Sequence, residues 1–257
     1  MSERALYVYG VVPGTAPRSL FDDVRGVDPS EPVTLVADGD VAAVASAVRL
    51  DEFGEAAIED NLRDPGWLAD KARAHDAVLA AAVGRTTVLP FRFGAIYRNE
   101  DHILELLRER ADFASALRRL EGAVELGVKG FVDVGALAER LAADRSAGEE
   151  TSAGRAYMQR KQEARRLDED VELFVAERAQ ETHDRLAAVA RDAHVNALQP
   201  GERRMILNGA YLVADDEEAR FRDELADVAR AHEQDRIDYE LNGPWPPYNF
   251  AGDEDQA

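Results

Sequence analysis

The octapeptide Gly243-Pro244-Trp245-Pro246-Pro247-Tyr248-Asn249-Phe250 restricts the backbone more than any other stretch of this chain. Its three prolines fix φ near −65° and remove backbone donors, so the segment can neither extend a helix nor pair as a central strand. We therefore expect a polyproline II conformation. Because that conformation has about three residues per turn, it would place Trp245 and Tyr248 on the same edge.

Two roles are open for the rings of this segment. Aromatic side chains bury a large area for each residue that is fixed, which favours packing back onto the protein as an interdomain clasp. A rigid aromatic edge is also suited to docking a partner. The candidate residues for partner binding or for the clasp are Gly243, Pro244, Trp245, Pro246, Pro247, Tyr248 and Phe250, with Arg92 and Phe93 from an earlier strand.

Composition indicates a globular protein of the cytoplasm. The chain has 257 residues, of which 46% are hydrophobic and 32% charged, and this predicts about two domains. It contains no cysteine, which excludes disulfides, zinc–thiolate sites and cysteine nucleophiles. The first residues lack the pattern of a signal peptide, and the apolar runs are far shorter than the ~20 residues that span a bilayer.

The chain is strongly acidic. Its 51 acidic and 31 basic residues give a net charge of −20, which repels nucleic acid phosphates and anionic lipid surfaces. We therefore expect neither nucleic acid nor membrane as a partner. Nearly all of the positive charge is arginine, a usage that suits either a halophile or a high-GC genome.

Residues 1–122 are predicted to form an α+β domain. A strand apolar on both sides covers Arg4 to Val12, and Asp38-Gly39-Asp40 marks a hairpin because Asp-Gly tolerates φ > 0. The other predicted elements are strands at Val33 to Ala37, Val41 to Val48 and Thr86 to Phe93, a helix from Asp64-Pro65 to Gly84, and helical pieces after Asn99 and around Leu117.

Two polar residues of this half have alternative interpretations. His75 lies on or beside the apolar stripe of its helix, where a hydrogen-bonded core histidine is favoured over a catalytic one. Arg92 is either an exposed charge at a sheet edge or a partly buried guanidinium that needs a carboxylate.

Residues 123–242 are predicted to form a ferredoxin-like domain of order βαββαβ, and residues 243–257 to form the Pro-Trp segment and an acidic tail. A helix from near Arg155 would run for about 35 residues, or roughly 50 Å. Its charged surface is a solvated face or, less favoured, a coiled-coil contact. The predicted strands are Ala123 to Val134, Ala193 to Leu198, Arg204 to Ala214 and Arg236 to Leu241, with a helix capped by Asp215 or Asp216.

The residue patterns of known catalytic and metal sites are missing from this sequence. The five histidines are scattered, and no His-Glu-x-x-His, Gly-x-Ser-x-Gly, Walker-type or Gly-x-Gly-x-x-Gly pattern occurs. We therefore predict no enzyme activity, and no catalytic, cofactor or metal site.

Several motifs together resemble the gas vesicle protein F/L family (GvpF/GvpL). The C-terminal octapeptide resembles the family's closing signature and is the most specific of them. The others, in chain order, are Leu6-Tyr7-Val8-Tyr9-Gly10, Ala74-His75-Asp76-Ala77-Val78, Val88-Leu89-Pro90-Phe91-Arg92-Phe93-Gly94 and Gly154-Arg155-Ala156-Tyr157. Met158 stands where the family pattern has leucine, and the resemblance covers nearly the whole chain.

This resemblance implies an accessory or minor structural protein of the gas vesicle, acting in its nucleation and assembly. The implied partners are the hydrophobic shell protein (GvpA type), which it would keep from aggregating, and other gas vesicle accessory proteins. The alternatives from other classes are a ferredoxin-like small-molecule-binding regulator or enzyme, and a helical adaptor that self-associates through the long helix.

Overall fold

The computed structural model describes residues 3–110, 112–146 and 156–252. The chain divides into two compact units, of which unit 1 comprises Met1–Glu125 with Pro244–Ala257 and unit 2 comprises Leu126–Gly243. The chain therefore leaves unit 1 once and returns to it with the proline-rich segment. Each unit contains helices and a β-sheet, as expected for an α+β protein.

Unit 1 is built on a five-stranded sheet with the strand order β2-β3-β1-β4, in which β5 also pairs with β1. Its strands are β1 (Arg4–Pro13), β2 (Val33–Asp38), β3 (Val41–Arg49), β4 (Leu89–Pro90) and β5 (Ile96–Tyr97). The predicted hairpin is confirmed, since β2 and β3 pair antiparallel around Gly39, which has φ 59°.

The central strand β1 carries an irregularity at Tyr9. Val8 is paired with Ala45 whereas Gly10 is paired with Val44, so the register against β3 shifts at the residue between them. Gly10 is needed at this point because a Cβ there would lie 2.5 Å from the carbonyl oxygen of Leu89. This close approach lets β4 pair with the edge of β1 that lies opposite β3.

Among the described residues of unit 1 there are five α-helices. They are α1 (Leu50–Phe53), α2 (Glu55–Asn61), α3 (Pro65–Ala80), α4 (Glu100–Glu109) and α5 (Phe113–Leu120). The predicted starts of α3 and α4 are confirmed, because Asp64 accepts from the N–H of Gly66 and Asn99 accepts from the N–H of His102.

The predicted strand from Thr86 to Phe93 is mostly wrong. Only Leu89–Pro90 pair as a strand, and the chain turns at Gly94, which has φ 101°. Pro90 has no N–H to donate, so the contact with β1 continues through isolated bonds such as Phe91 N–H to the Tyr9 carbonyl (2.9 Å).

The second sheet has the order β7-β8-β6-β9. Its strands are β6 (Ala123–Val132), β7 (Asp192–Val195), β8 (Arg204–Ala214) and β9 (Ile237–Trp245). The last strand is therefore four residues longer at its end than the predicted Arg236 to Leu241. Edge strands tolerate proline, which explains why β9 continues through Pro244.

The described part of unit 2 has three α-helices, which are α6 (Val134–Ser146), α7 (Ala156–Ala187) and α8 (Glu218–His232). The long helix was predicted, and its 32 residues correspond to roughly 48 Å. Val171, Val175 and Leu186 of this helix are buried. Of the family motif in this region, Gly154 and Arg155 lie outside the described residues, as do the side chains of Tyr157 and Met158.

The predicted cap of α8 is wrong. Glu217 occupies the N-cap position in place of Asp215 or Asp216, and its side chain makes no capping hydrogen bond. The chain turns after β8 with a backbone bond from Glu217 N–H to the Ala214 carbonyl (2.9 Å), so the helix begins later than the aspartates suggest. Among the described residues, none of the helices is both long and apolar enough to cross a membrane.

Candidate interaction surface

The proline-rich segment does not adopt the expected polyproline II conformation. Gly243, Pro244 and Trp245 continue strand β9, and a 3-10 turn covers Tyr248–Phe250. Pro247 between them has φ −78° and ψ 63°, far from the ψ of about +145° that polyproline II requires. Trp245 and Tyr248 therefore do not share an edge of one regular rod.

Tyr248 is anchored to α3 of unit 1. Its hydroxyl donates to Oδ1 of Asp76 (2.8 Å), and its ring packs against the hydrophobic core of the unit. Burial raises the pKa of Tyr248, and the neighbouring Asp76 carboxylate raises it further because a second negative charge there is unfavourable. Tyr248 therefore remains a neutral donor.

Asn249 binds a buried carboxylate. Its backbone N–H donates to Oε2 of Glu125 (2.9 Å) and its side-chain amide donates to Oε1 (2.6 Å). Glu125 is only 5% exposed, and a buried carboxylate needs such partners because its desolvation is otherwise unfavourable. Sequence reasoning missed Glu125. Its signal is a charged residue between Val124 and Leu126 in an otherwise apolar strand.

The segment ends in the core of unit 1. Phe250 and Ala251 are 6% and 1% exposed, and Nη2 of Arg119 donates to the Phe250 carbonyl (2.7 Å). Arg119 lies in the last turn of α5, and sequence reasoning did not single it out. Together with the contacts of Tyr248 and Asn249, these bonds fasten the segment to its own unit.

Trp245 differs from the other two rings because 48% of it is exposed. It borders a small hollow of about 20 Å³ in unit 1, next to Thr86, Leu120 and Pro247. Pro246 and Pro247, which follow it, are buried. A half-exposed indole is thus held beside firmly packed neighbours, an arrangement that suits an interface anchor.

Arg92 and Phe93 lie elsewhere in unit 1. Arg92 is exposed, which agrees with the first of its two interpretations, whereas Phe93 is half-buried. The Phe93 ring is 5.9 Å from that of Tyr7 and 6.3 Å from that of Trp67. Phe93 and Tyr248 pack against the same core, but in the described part of the chain Arg92 makes no hydrogen bond or ion pair with residues 243–250.

Three of the sequence motifs meet at a buried hydrogen-bonded group. The Tyr7 hydroxyl accepts from the N–H of Gly94 (3.0 Å) and lies 2.9 Å from Nδ1 of His75. A Tyr7 hydroxyl that donates its own proton to Nδ1 leaves the proton of neutral His75 on Nε2. Burial lowers the pKa of His75 to about 4, which identifies it as a neutral core residue at physiological pH.

Among the described residues, no group of three or more His, Cys, Asp or Glu side chains is placed to hold a metal ion. Two of the histidines are engaged in local contacts. Nδ1 of His102 lies 2.6 Å from Oδ1 of Asn99, and Nδ1 of His183 lies 3.2 Å from the Tyr211 hydroxyl.

Comparisons with known proteins agree with these motifs. The family model described as gas vesicle synthesis protein GvpL/GvpF matches residues 5–252. Gas vesicle protein L of a Streptomyces species is 36% identical over 98% of this chain and 94% of its own length. Gas vesicle protein F of the same species is 30% identical over 95% of this chain and 98% of its own length.

The fold is also that of a solved structure. The crystal structure of the gas vesicle protein GvpF from Anabaena sp. superposes with a TM-score of 0.72 over 97% of this chain and 96% of that one, at 22% identity. The resemblance on the motifs is thereby confirmed, and the chain belongs to the gas vesicle synthesis protein GvpL/GvpF family.

Proposed function

We propose that this protein is an accessory or minor structural protein of the gas vesicle that takes part in nucleating and assembling the shell. Its work is binding without catalysis, in the cytoplasm and at the vesicle. The partners are the hydrophobic shell protein of the GvpA type, which it keeps from aggregating, and other gas vesicle accessory proteins. The observation that carries this proposal is the family match over residues 5–252.

The anchored segment supplies a contact surface for the shell protein. Interface anchors are commonly aromatic residues that are rigid before binding, because little conformational entropy is then lost on association. Trp245 is nearly half exposed, while Tyr248 and Phe250 fix the chain that follows it. The net charge of −20 would keep a complex with an apolar partner soluble.

The order of elements supports a ferredoxin-like arrangement for unit 2. Along the chain the elements follow the order β6, α6 with α7, β7, β8, α8 and β9, and in space the strands follow β7-β8-β6-β9. This scaffold hosts many functions, so it does not itself specify binding of the shell protein.

Co-expression with the shell protein tests the proposal directly. The shell protein is expected to remain soluble and to co-purify with this chain, but to precipitate when expressed alone. If it precipitates equally with and without this chain, the proposed function is wrong.

A pair of variants tests the surface. Trp245→Ala should reduce the amount of co-purified shell protein several-fold, whereas Leu173→Ala should leave it unchanged. Leu173 is a matched control because it is a large apolar residue that is 64% exposed in unit 2. If Trp245→Ala retains both the melting temperature and full capture, Trp245 is not the contact.

A further inference from the structure

Unit 2 contains a partly buried polar cluster around His232, the last residue of α8. The imidazole is only 2% exposed. The polar and charged groups that face it come from four other elements. They are Arg140 of α6, Arg178, Glu181 and Thr182 of α7, Asp235 of the 3-10 turn Glu233–Asp235, and Tyr239 of β9.

Hydrogen-bond directions in this cluster determine where the imidazole carries its proton. The Thr182 hydroxyl donates to the Arg178 carbonyl (2.8 Å), so it can only accept from the Tyr239 hydroxyl (2.7 Å). The Tyr239 hydroxyl must then accept from Nδ1–H of His232 (2.8 Å). Neutral His232 therefore has a bare Nε2.

That bare nitrogen faces a carboxylate. Nε2 of His232 has no hydrogen-bond partner and lies 3.5 Å from Oε2 of Glu181. Two acceptors thus face each other without a proton between them, the nitrogen on a buried ring and the carboxylate on a side chain that is 40% exposed.

The rest of the cluster pairs guanidinium groups with carboxylates. Arg178 donates from Nη1 to Oε2 of Glu181 (2.6 Å) and from Nε to Asp235 (2.8 Å), and Arg140 lies 3.2 Å from Asp235. Arg140 also lies 3.5 Å from Asp144, so two guanidinium groups face three carboxylates, and the neutral imidazole adds no charge.

We propose that Nε2 of His232 is a proton-binding site with Glu181 as its counter-ion, and that proton uptake below neutral pH loosens the attachment of α7 to α8. The added proton forms a bond to an oxygen that already accepts from Arg178. It therefore sets two cations on one carboxylate oxygen and places a positive charge on a ring that is only 2% exposed. Desolvation of such a charge is unfavourable.

The pKa of His232 agrees with the proposal that its protonation destabilises the folded unit. Burial lowers the pKa of His232 even though Glu181 opposes that change, so the charged form is disfavoured by the folded unit. His75 of unit 1 is a natural comparison, since it is equally buried but has the opposite tautomer. No described carboxylate forms an ion pair with its Nε2.

Ring-nitrogen NMR of the full-length protein between pH 8 and 5 tests the site. His232 should show the Nδ1–H tautomer and His75 the Nε2–H tautomer, and His232 should protonate below its ordinary midpoint of about 6.5. Glu181→Gln removes the facing carboxylate and should move the His232 midpoint further down. An Nε2–H tautomer, or a midpoint at or above 6.5, would overturn the proposal.

Amide hydrogen exchange tests the loosening. The exchange rates are first corrected for intrinsic rates. Protection of residues 178–186 should then fall on the order of tenfold for each pH unit below about 6.5, the ordinary pKa of histidine in an unfolded chain. His232→Gln should remove this pH dependence. If the variant loses protection at low pH as wild type does, the proposal is wrong. If His232→Gln does not fold, the wild-type ring-nitrogen titration and its exchange profile decide the question.

Discussion

Asn249 donates two hydrogen bonds to the Glu125 carboxylate, one from its backbone and one from its side chain, across 124 positions of sequence. Glu125 is the last residue of the first stretch of unit 1, and Asn249 belongs to the stretch with which the chain returns to that unit. The pair therefore closes the discontinuous unit at the point where its two pieces meet.

Loss of the amide donor should destabilise unit 1. Asn249→Ala removes one charge-assisted bond from a buried carboxylate, so we expect the free energy of unfolding to fall by about 2 kcal/mol. Asn249→Asp has nearly the same shape but places a second carboxylate against Glu125, and should destabilise more than alanine does. Chemical denaturation measures both variants. An aspartate variant as stable as wild type would show that Glu125 does not need this donor.

The contact of Tyr248 with Asp76 should make a smaller contribution. Asp76 is exposed, so Tyr248→Phe is expected to lower the free energy of unfolding by about 1 kcal/mol while the ring remains packed. A double-mutant cycle with Asp76→Ala isolates the bond, since the two losses should not add. Fully additive losses would indicate that the two side chains do not interact in solution.

Gly10 should not tolerate a side chain. A Cβ would lie 2.5 Å from the Leu89 carbonyl, which is held in the pairing of β1 with β4, so Gly10→Ala is expected to destabilise by about 2–3 kcal/mol. Gly135→Ala is the control, because a Cβ at Gly135 would lie 3.5 Å from its nearest neighbouring atom. This variant should change the free energy of unfolding by less than about 1 kcal/mol. Thermal unfolding of the two variants compares them directly, and equal melting temperatures would contradict the close approach.

His75 should make unit 1 sensitive to acid. Its pKa is about 4 in the folded protein and about 6.5 in an unfolded chain, so below pH 6.5 the unfolded state binds more protons. The stabilising effect of neutral His75 is complete above pH 6.5 and is lost as the pH falls towards 4, by about 3 kcal/mol in total.

His75→Gln isolates this dependence from that of the carboxylates. The glutamine does not titrate, so the difference in stability between wild type and variant should shrink by that amount from pH 7 to pH 4. Denaturant titrations at several pH values measure it. A difference that stays constant across this range would mean that His75 is not buried in its neutral form.

Local sequence patterns were sufficient to predict many of the secondary-structure elements. The Asp38-Gly39-Asp40 hairpin, the caps Asp64 and Asn99, and the long helix α7 were all predicted. Each depends on contacts between residues a few positions apart. The motifs likewise identified the family without any coordinates.

The proline-rich segment shows where local reasoning stops. Its prolines predict restricted φ, but ψ at Pro247 and the extension of β9 to Trp245 depend on the edge of a sheet that local patterns do not specify. The strand predicted at Thr86 to Phe93 failed for a similar reason, since Gly94 turns the chain there.

The sequence alone determined the type and order of most elements, the acidic surface and the family, because these follow from composition, spacing and motif. Only the tertiary structure decided that Tyr248 and Phe250 are fastened to unit 1 while Trp245 stays half exposed, and which nitrogen of His75 and His232 carries the proton. The physical reason is distance along the chain. Asp76 and Glu125 lie 172 and 124 positions from their partners Tyr248 and Asn249, and no periodicity or propensity encodes such pairings.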